Sequence, residues 1–337
     1  MTRYVTSRVL QALGVVVGVI ILTFIIARLI PGDPAVAYAG PRATPEQLAA
    51  VREQFGLDGP MWQQFVAYVS GVARGDLGIS LHTKEPVLSD LLRVFPTTLV
   101  LVAIALLFAA IIGIPLGIIA ARSHGRIGDL MAKVIAILMV SMPVFWLAIL
   151  LQIIFFSRLG WLPAASAYDT KLEANSPLYT VIGVPVVDAL LTGNWVIFRS
   201  TLQHLILPVI AIAAYPIGAV AMVTRGSLLE NLGDEHVRMV RALGFSERSV
   251  FGRFALRPSL NPILALLALV FAYALTNSFI VESVFNWPGL GGYAVKSIQT
   301  LDVPAILGVT LIVAVLYVLL NLVVDLVQAV IDPRVRS

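Results

Sequence analysis

Six long stretches without a charged side chain constrain the fold of this chain more than any other feature of its sequence. They cover residues 9–27, 94–121, 134–157, 205–224, 259–281 and 303–324. A helix needs roughly 20 predominantly apolar residues to cross the hydrocarbon core of a bilayer, and each stretch is close to this length or exceeds it. In lipid, only helices and closed barrels satisfy their backbone polar groups internally. The sequence therefore predicts an all-α membrane protein with six transmembrane helices in one membrane domain, residues 1–337.

The composition supports a membrane protein and excludes several kinds of site. Hydrophobic residues make up 59% of the 337 positions and charged residues only 12%, which is too apolar for a single soluble core. The chain has no cysteine, so disulfides, thiolate metal sites and cysteine nucleophiles are excluded. Its net charge of +4 is explained better by loop charges that fix membrane orientation than by a nucleic-acid partner.

A seventh apolar region, residues 174–198, is not expected to cross the membrane. It contains a single charge, Asp188. Residues that break helices interrupt it at Pro177, Gly183, Pro185, Gly193 and Asn194. Because such residues disfavour a continuous spanning helix, we interpret the region as a surface loop with one short interfacial helix.

Basic residues divide unevenly between the two sides of the membrane in this arrangement. The two termini and loops 122–133 and 225–258 together carry thirteen lysines and arginines. The opposite loops carry nine, besides Arg28 at a span end, and run over about 28–93, 158–204 and 282–302. Since cytoplasmic segments are enriched in these residues, both termini and loop 225–258 are predicted to be cytoplasmic. The first apolar stretch lacks a small-residue cleavage site, so we interpret it as an uncleaved span.

The long first external loop contains a recognisable helix. Thr44 is placed to act as its N-cap, Pro45 occupies its first position, and Gln47 completes a capping box. Gly56 provides a stop signal. The pattern predicts a short helix over Pro45–Phe55.

Loop 225–258 has the pattern of a helical hairpin. A helix is predicted over Glu235–Leu243, preceded by Asp234 and stopped by Gly244. A second helix is predicted from Ser246 as N-cap to about Leu256, where Arg257-Pro258 ends it. The apolar side is expected to be buried in a partner or in the bundle, and consists of Val237, Val240, Phe245, Val250, Phe251 and Phe254. The alternative is a topology-setting loop that lies on the lipid. Binding to DNA is not expected so close to two spans.

Motifs for catalysis and for cofactor binding are absent from the sequence. None of Lys84, Lys133, Lys171 and Lys296 follows a glycine, so the chain contains no P-loop. The four histidines are dispersed without metalloprotease spacing, and no nucleophile elbow is present. We therefore predict no catalytic residue, metal site or cofactor in this chain. An intramembrane hydrolase, with partners on different spans, remains a distant alternative.

Polar residues inside the spans are candidates for a translocation pathway, since they are costly in lipid. These candidates are Gln152, Asn277, Ser278 and Glu282. Ser278 and Glu282 are four residues apart and share a helical face. The alternative is that Glu282 lies at the membrane interface and the others pack between helices. The following sequence WPGLGG predicts a tight turn, with Trp287 at the level of the lipid headgroups.

Short strings along the whole chain resemble the dipeptide/oligopeptide permease family of ABC importers, first-subunit type. In loop 225–258 the resemblance lies in R-x-x-R-A-x-G followed by a second short helix. Elsewhere it is carried in order by RLIPGDPA (28–35), FGLDGP (55–60), GDLGISL (75–81), PTTLVL (96–101), GIPLGIIAA (113–121), SMPVFW (141–146), LGWLP (159–163), VESVFNWPGLGGYAV (281–295) and NLVVDLVQAVIDPRVR (321–336). Any one string is weak, but nine in order are specific.

This resemblance implies a fold, partners and a coupling site. The fold is that of a type I ABC-importer permease in a bacterial cytoplasmic membrane. The implied partners are a second homologous permease, two cytoplasmic P-loop ATPases that bind ATP and Mg²⁺, and an extracytoplasmic binding protein. The hairpin would be the coupling helix–turn–helix, and its implied ATPase contacts are Glu235, Arg238, Arg241, Ala242, Gly244, Phe245, Ser246 and Glu247. His236 stands where the family usually has an aromatic residue.

Two classes of function remain open at this point. The resemblance favours a subunit of an ATP-driven importer for di- and oligopeptides, although similar permeases also move nickel complexes, glutathione or oligosaccharides. The other class is a stand-alone secondary transporter or channel. Such a transporter is expected to carry inverted repeats and an ion site at mid-bilayer, but the central parts of all six spans lack Asp, Glu, Lys and Arg.

Overall fold

A computed structural model of the chain describes residues 2–29, 34–40, 43–55 and 59–331. In chain order its helices are α1 (Thr2–Leu29), α2 (Pro34–Ala39), α3 (Pro45–Phe55), α4 (Met61–Ala73), α5 (Val87–Arg122), α6 (Ile127–Ser141), α7 (Val144–Leu151), α8 (Pro185–Leu191), α9 (Trp195–Gly233), α10 (Glu235–Ala242), α11 (Glu247–Ser249), α12 (Arg257–Val284), α13 (Leu290–Gln299) and α14 (Val303–Ile331). Two π-helical segments, Gln152–Arg158 and Val250–Leu256, and one 3₁₀ turn, Thr170–Ala174, complete the list. The predicted all-α fold is confirmed over these residues.

Five helical segments are long and apolar enough to cross a membrane. They are Thr6–Ile26 in α1, Val87–Arg122 (α5), Trp195–Gly233 (α9), Glu247–Val284 through α12, and Val303–Val323 in α14. The sixth predicted stretch, 134–157, falls instead on two helical pieces bent by 102°. The break lies at Met142-Pro143, where Met142 is extended because a residue before proline disfavours the helical conformation. One span in the prediction is therefore a broken helix.

Helix α9 is the centre of the bundle and packs against α5, α6, α8 and α12. Gly113 and Gly117 of α5 allow the backbones of α5 and α9 to approach closely. A Cβ atom on Gly113 would lie 2.9 Å from the carbonyl oxygen of Ile217, and one on Gly117 would lie 2.5 Å from Cβ of Thr224. Small residues four apart let the backbones of two membrane helices approach in this way.

The region 174–198 does not form a spanning helix, as predicted. The 3₁₀ turn ends at the first residue of this region, and the short helix α8 lies inside it. The buried Asp188 carboxylate accepts hydrogen bonds from the backbone N–H groups of Ile182 and Gly183. Helix α9 begins at Trp195, with the Asn194 side chain as its cap. The first ten residues of α9 therefore belong to the segment that the sequence analysis assigned to the external loop 158–204.

The predicted helix Pro45–Phe55 is confirmed as α3. Thr44 and Gln47 form the reciprocal capping box, with Thr44 N–H donating to Gln47 Oε1 at 2.9 Å and Gln47 N–H donating to Thr44 Oγ1 at 3.3 Å. Gly56, the predicted stop, lies outside the described residues. So do parts of the strings at 28–35, 55–60 and 321–336, and the basic tail.

Candidate functional site

The predicted helical hairpin is present at the end of α9. Helix α10 runs from Glu235 to Ala242, and Gly244 follows with φ +84°, a conformation that glycine adopts without steric cost. The Ser246 hydroxyl then caps the next helix by accepting from the Ser249 N–H. These features confirm the turn and the second N-cap.

The predicted end of the second helix at Arg257-Pro258 is wrong. From Glu247 the chain stays helical through the π-helical segment Val250–Leu256 and continues without a break into α12. Pro258 is near the start of α12 but inside this continuous helix, so it supplies no N–H to the carbonyl four residues earlier. The carbonyl of Phe254, four residues earlier, lies 3.4 Å from His236 Nε2 of α10. The hairpin is thus joined rigidly to a spanning helix.

One side of the hairpin is buried in the chain's own bundle. Val237, Val240 and Val250 form a buried cluster against Leu232 and Phe254. Phe251 belongs to a second cluster, with Ala121, Leu228 and Ala255. The Arg122 guanidinium lies 4.5 Å from the centre of the Phe251 ring, within range of a cation–π contact. This burial favours an anchored element over a loop that lies loosely on lipid.

Phe245 departs from the predicted apolar side. It is 46% exposed, and its ring makes an edge contact with Phe254, with 5.6 Å between ring centroids. Met239 and Leu243, which the sequence analysis did not select, are also strongly exposed. Three apolar side chains therefore lie on the open surface of the hairpin, and exposed apolar groups of this kind mark contact surfaces.

The residues predicted to contact an ATPase share this open surface. All eight are exposed, namely Glu235, Arg238, Arg241, Ala242, Gly244, Phe245, Ser246 and Glu247. A two-pronged ion pair crosses the turn, from Arg241 Nε to Glu247 Oε1 at 2.6 Å and from Arg241 Nη2 to Glu247 Oε2 at 3.2 Å. Because both partners are exposed, the pair contributes orientation of the two helices more than stability.

A buried ion pair next to the hairpin was missed by the sequence analysis. Asp129, in the first turn of α6, accepts from Arg225 Nε at 2.6 Å and from Arg225 Nη2 at 3.0 Å. Its carboxylate also accepts from the Gly125 N–H at 3.1 Å and lies 3.5 Å from Lys133 Nζ. An acid in the first turn of a helix is common, so no local pattern distinguishes Asp129 from an ordinary acid at a helix start. The pair ties the α5–α6 loop to α9 eight residues before that helix ends at Gly233.

Replacing Asp129 by alanine is expected to destabilise the purified protein by about 1–3 kcal/mol, because Arg225 loses its partner in a largely enclosed position. The measurement is the midpoint of thermal unfolding in detergent. Glu230→Ala is the control. It removes an exposed acid from α9, the helix that carries Arg225, and should unfold near the wild-type temperature. Equal unfolding midpoints for the two variants would contradict a stabilising role for the Asp129–Arg225 ion pair.

The side chains of the predicted pathway residues Gln152, Asn277 and Ser278 donate hydrogen bonds to backbone carbonyls. Gln152 Nε2 donates to the Ala164 carbonyl at 2.7 Å and to the Val284 carbonyl at 3.1 Å, which fastens the segment after Arg158 to the end of α12. Asn277 donates to the Tyr273 carbonyl and Ser278 to the Leu275 carbonyl, both within α12. Ser278 is fully buried, whereas Asn277 is half-buried beside Tyr273.

Glu282 is fully buried and holds the turn that follows α12. Its Oε2 accepts from the Gly291 N–H at 2.6 Å, in the first turn of α13, where a helix favours a negative charge. Thr98 Oγ1 of α5 accepts from the neighbouring Leu290 N–H at 2.8 Å. A Cβ atom on Gly289 would lie 2.5 Å from both oxygens. The turn of WPGLGG is thus built around this carboxylate.

Trp287, predicted at the level of the lipid headgroups, packs inside the protein and does not face lipid. Its side chain is only 3% exposed and belongs to the main core cluster with Leu275 and Phe285. The Trp287 N–H of the backbone donates to the Glu282 carbonyl at 2.8 Å. The backbone hydrogen bond from Trp287 to Glu282 that closes the turn also places the indole in the core.

Comparison with known proteins assigns the chain to a family. Residues 113–337, which include the hairpin, match the family described as "Binding-protein-dependent transport system inner membrane component". Residues 1–102 match the corresponding N-terminal family. The chain belongs to this family. It is therefore an inner-membrane transport component and not an enzyme, and the resemblance noted in the sequence is confirmed.

Curated relatives cover nearly the whole chain. A probable D,D-dipeptide transport system permease of Escherichia coli (strain K12) is 43% identical over 321 residues, 95% of this chain and 94% of the relative. A dipeptide transport system permease of Alkalihalophilus pseudofirmus is 37% identical over 336 residues, 100% of both chains. A glutathione transport system permease of Escherichia coli O6:H1 is 34% identical over 336 residues, 100% of this chain and 99% of the relative.

Proposed function

We propose that the chain is the permease subunit of an ATP-driven importer of short peptides and forms half of its translocation pathway. The observation that carries the proposal is the hairpin of α10 and α11, which is anchored in the bundle on one side and exposed on the other. Relatives named as dipeptide permeases support peptides as the substrate class. The 34% identical glutathione permease supports a second candidate, since glutathione is itself a small peptide.

The proposed topology has six spans, with both termini and the hairpin in the cytoplasm. Five helices together with the bent pair α6–α7 supply up to six spans. The distribution of basic residues supports this orientation. It leaves the loop between α4 and α5 and the segment from Leu159 to Asn194 on the outer side, where a binding protein would deliver its cargo.

The proposed partners follow from what the chain has and lacks. Its family is binding-protein-dependent by description, which supports an extracytoplasmic binding protein. Since its sequence contains no P-loop, ATP and Mg²⁺ would be bound by two cytoplasmic ATPases. A second, homologous permease would complete the pathway within the lipid bilayer. No nucleic acid takes part.

The hairpin is built to pass a movement to two spanning helices. Val237 and Val240 of α10 pack near Leu232 at the end of α9, and the segment from Val250 is continuous with α12. Closure of the ATPases on ATP would press on the exposed residues and tilt α9 and α12 together. Switching of this kind needs stiff elements that move as units.

A pair of tyrosines joins the same two helices within the spans. Tyr215 of α9 and Tyr273 of α12 stack with their ring centroids 4.1 Å apart, and Tyr273 is 43% exposed in the isolated chain. Tyrosine is enriched at membrane interfaces, so a tyrosine deep within a span is better explained by a polar pathway than by lipid. We assign this pair, with Asn277, to the pathway.

Affinity purification of the chain from its native membrane in a mild detergent tests the proposal. We expect two P-loop ATPases, a second permease and a binding protein to remain bound, as identified by mass spectrometry, and the assembly to take up peptide with ATP in vesicles. Recovery of the chain alone, with solute transport independent of ATP, would indicate a secondary transporter and overturn the proposal.

A further inference from the structure

A cavity of about 750 Å³ opens on the outer side between the segment 163–172 and the beginning of α9. Its volume lies within the roughly 300–1,000 Å³ range of small-ligand sites. The segment is fastened to α9 where the Asp169 N–H donates to Ser200 Oγ at 3.0 Å. The cavity is therefore formed by ordered contacts and not by a loose loop.

Two side chains of opposite charge face this cavity without pairing. Arg199 of α9 and Asp169 both line it, and Arg199 is next in sequence to the serine that binds the Asp169 backbone. In the part of the chain that the structure describes, neither side chain makes an ion pair. The Asp169 carboxylate accepts only from the Lys171 N–H, through Oδ1 at 3.0 Å. One cation and one anion, both exposed, are thus left available in a single open cleft.

Apart from the titratable His204, the other residues that line the cavity have no acidic or basic side chain. Burial, and then the hydrogen bond to Glu173, raise the pKa of Tyr168 to about 12, so its phenol carries no charge at neutral pH. Trp195 and Leu172 supply apolar wall, and Gln203 supplies an amide. A ligand that matches this lining has a carboxylate, an ammonium group and an apolar side chain between them.

We propose that this cavity binds short peptides with free ends, the α-carboxylate at Arg199 and the α-ammonium at Asp169. The inference rests on the proposed function and adds to it a first site at the outer mouth of the permease. Fixed opposite charges orient a zwitterionic ligand, whereas the apolar wall accepts different side chains. Such a site recognises what all short peptides have in common.

The test uses a dipeptide that contains photoreactive leucine, added at millimolar concentration to the assembled transporter without its binding protein. Leaving the binding protein out removes its own selection for peptide ends. We expect mass spectrometry to find the attachment within 163–172 or 195–204. Amidation of the peptide or Arg199→Gln should each lower labelling about three- to fivefold, the range for a partly exposed ion pair.

Matched variants sharpen the comparison. N-acetylation of the peptide and Asp169→Asn should lower labelling by the same factor. The amidated peptide should lose nothing further on Arg199→Gln, because both changes remove one interaction. Lys171→Gln, a charge change on the same segment outside the cavity, should label as wild type does.

Several outcomes would overturn the site. Equal labelling by free and amidated dipeptides, or attachment elsewhere on the chain, would contradict it. If Arg199→Gln lowered uptake driven by the binding protein but left labelling unchanged, the surface would be a docking site for that protein and not a peptide site. ATP-driven uptake by the wild-type assembly, measured on the same preparation, separates the two proposals: uptake without labelling overturns only this site, and no uptake of any peptide overturns the proposed function.

Discussion

Replacing Gly244 by valine is expected to abolish most ATP-driven peptide uptake while the chain still inserts and assembles. Gly244 has φ +84°, and no atom lies within 4 Å of the position of an added Cβ, so the cost arises from the backbone alone. The left-handed region costs an L-residue about 1–2 kcal/mol, and a β-branched residue is a clear outlier there. Since 1.4 kcal/mol is a factor of about ten, we expect uptake to fall roughly tenfold.

The comparison that isolates the turn is Gly244→Asn, because asparagine tolerates positive φ. This variant should keep most of its uptake. ATP hydrolysis should be measured alongside, since a broken coupling turn is expected to lower uptake more than hydrolysis. Wild-type uptake by Gly244→Val would show that the turn does not transmit the movement.

Replacing Gly117 by valine is expected to produce a large loss of stability in the bundle. A Cβ atom on this glycine would lie 2.6 Å from the Ala221 carbonyl oxygen and 2.5 Å from Cβ of Thr224, so α5 would have to move away from α9. Overpacking of a tight contact costs about 1–3 kcal/mol and occasionally more. The fraction of protein that stays monodisperse after heating in detergent measures the effect.

Gly226→Val is the matched control for this change. Gly226 is also helical, in α9, but no atom lies within 4 Å of its added Cβ. The two variants share the same difference in helix propensity, so any difference between them reports the α5–α9 contact. Equal heat resistance would mean that the two helices do not need this close approach.

Local patterns were predictable from the sequence because each depends on a few neighbouring residues. The capping box of Thr44 and Gln47, the helix Glu235–Ala242, the turn at Gly244 and the cap at Ser246 all belong to this class. The apolar stretches also predicted where long helices lie. The hairpin could therefore be located from the sequence alone.

Features that depend on distant residues could not be predicted in the same way. Asp129 pairs with Arg225, which is 96 positions away in the chain. The Leu290 N–H donates to Thr98, which is 192 positions away. Trp287 follows a pattern typical of membrane interfaces, but the bonds to Glu282 turn it into the core. Neither local periodicity nor composition predicts such long-range pairings. The pairings determine which polar residues have a structural role.

The prolines within the spans also show that a local pattern does not determine where a helix breaks. Pro115, Pro208 and Pro216 lie inside helices that stay continuous, whereas the helix breaks at Met142-Pro143. Proline in a membrane helix is tolerated when neighbours satisfy the freed backbone groups. Proline alone therefore does not locate a break, and tertiary packing determines which of these helices is interrupted.

The central claim is that the exposed surface of the hairpin docks on the ATPases, and cross-linking tests it most directly. Because the chain has no cysteine, Ala242→Cys gives a single thiol on that surface, and Tyr179→Cys gives an exposed control in the external segment. Each is labelled with a photoactivatable maleimide in the active assembly. The account predicts a covalent adduct between Ala242→Cys and an ATPase subunit and none for Tyr179→Cys. An active assembly in which the thiol at 242 attaches only to lipid would contradict it.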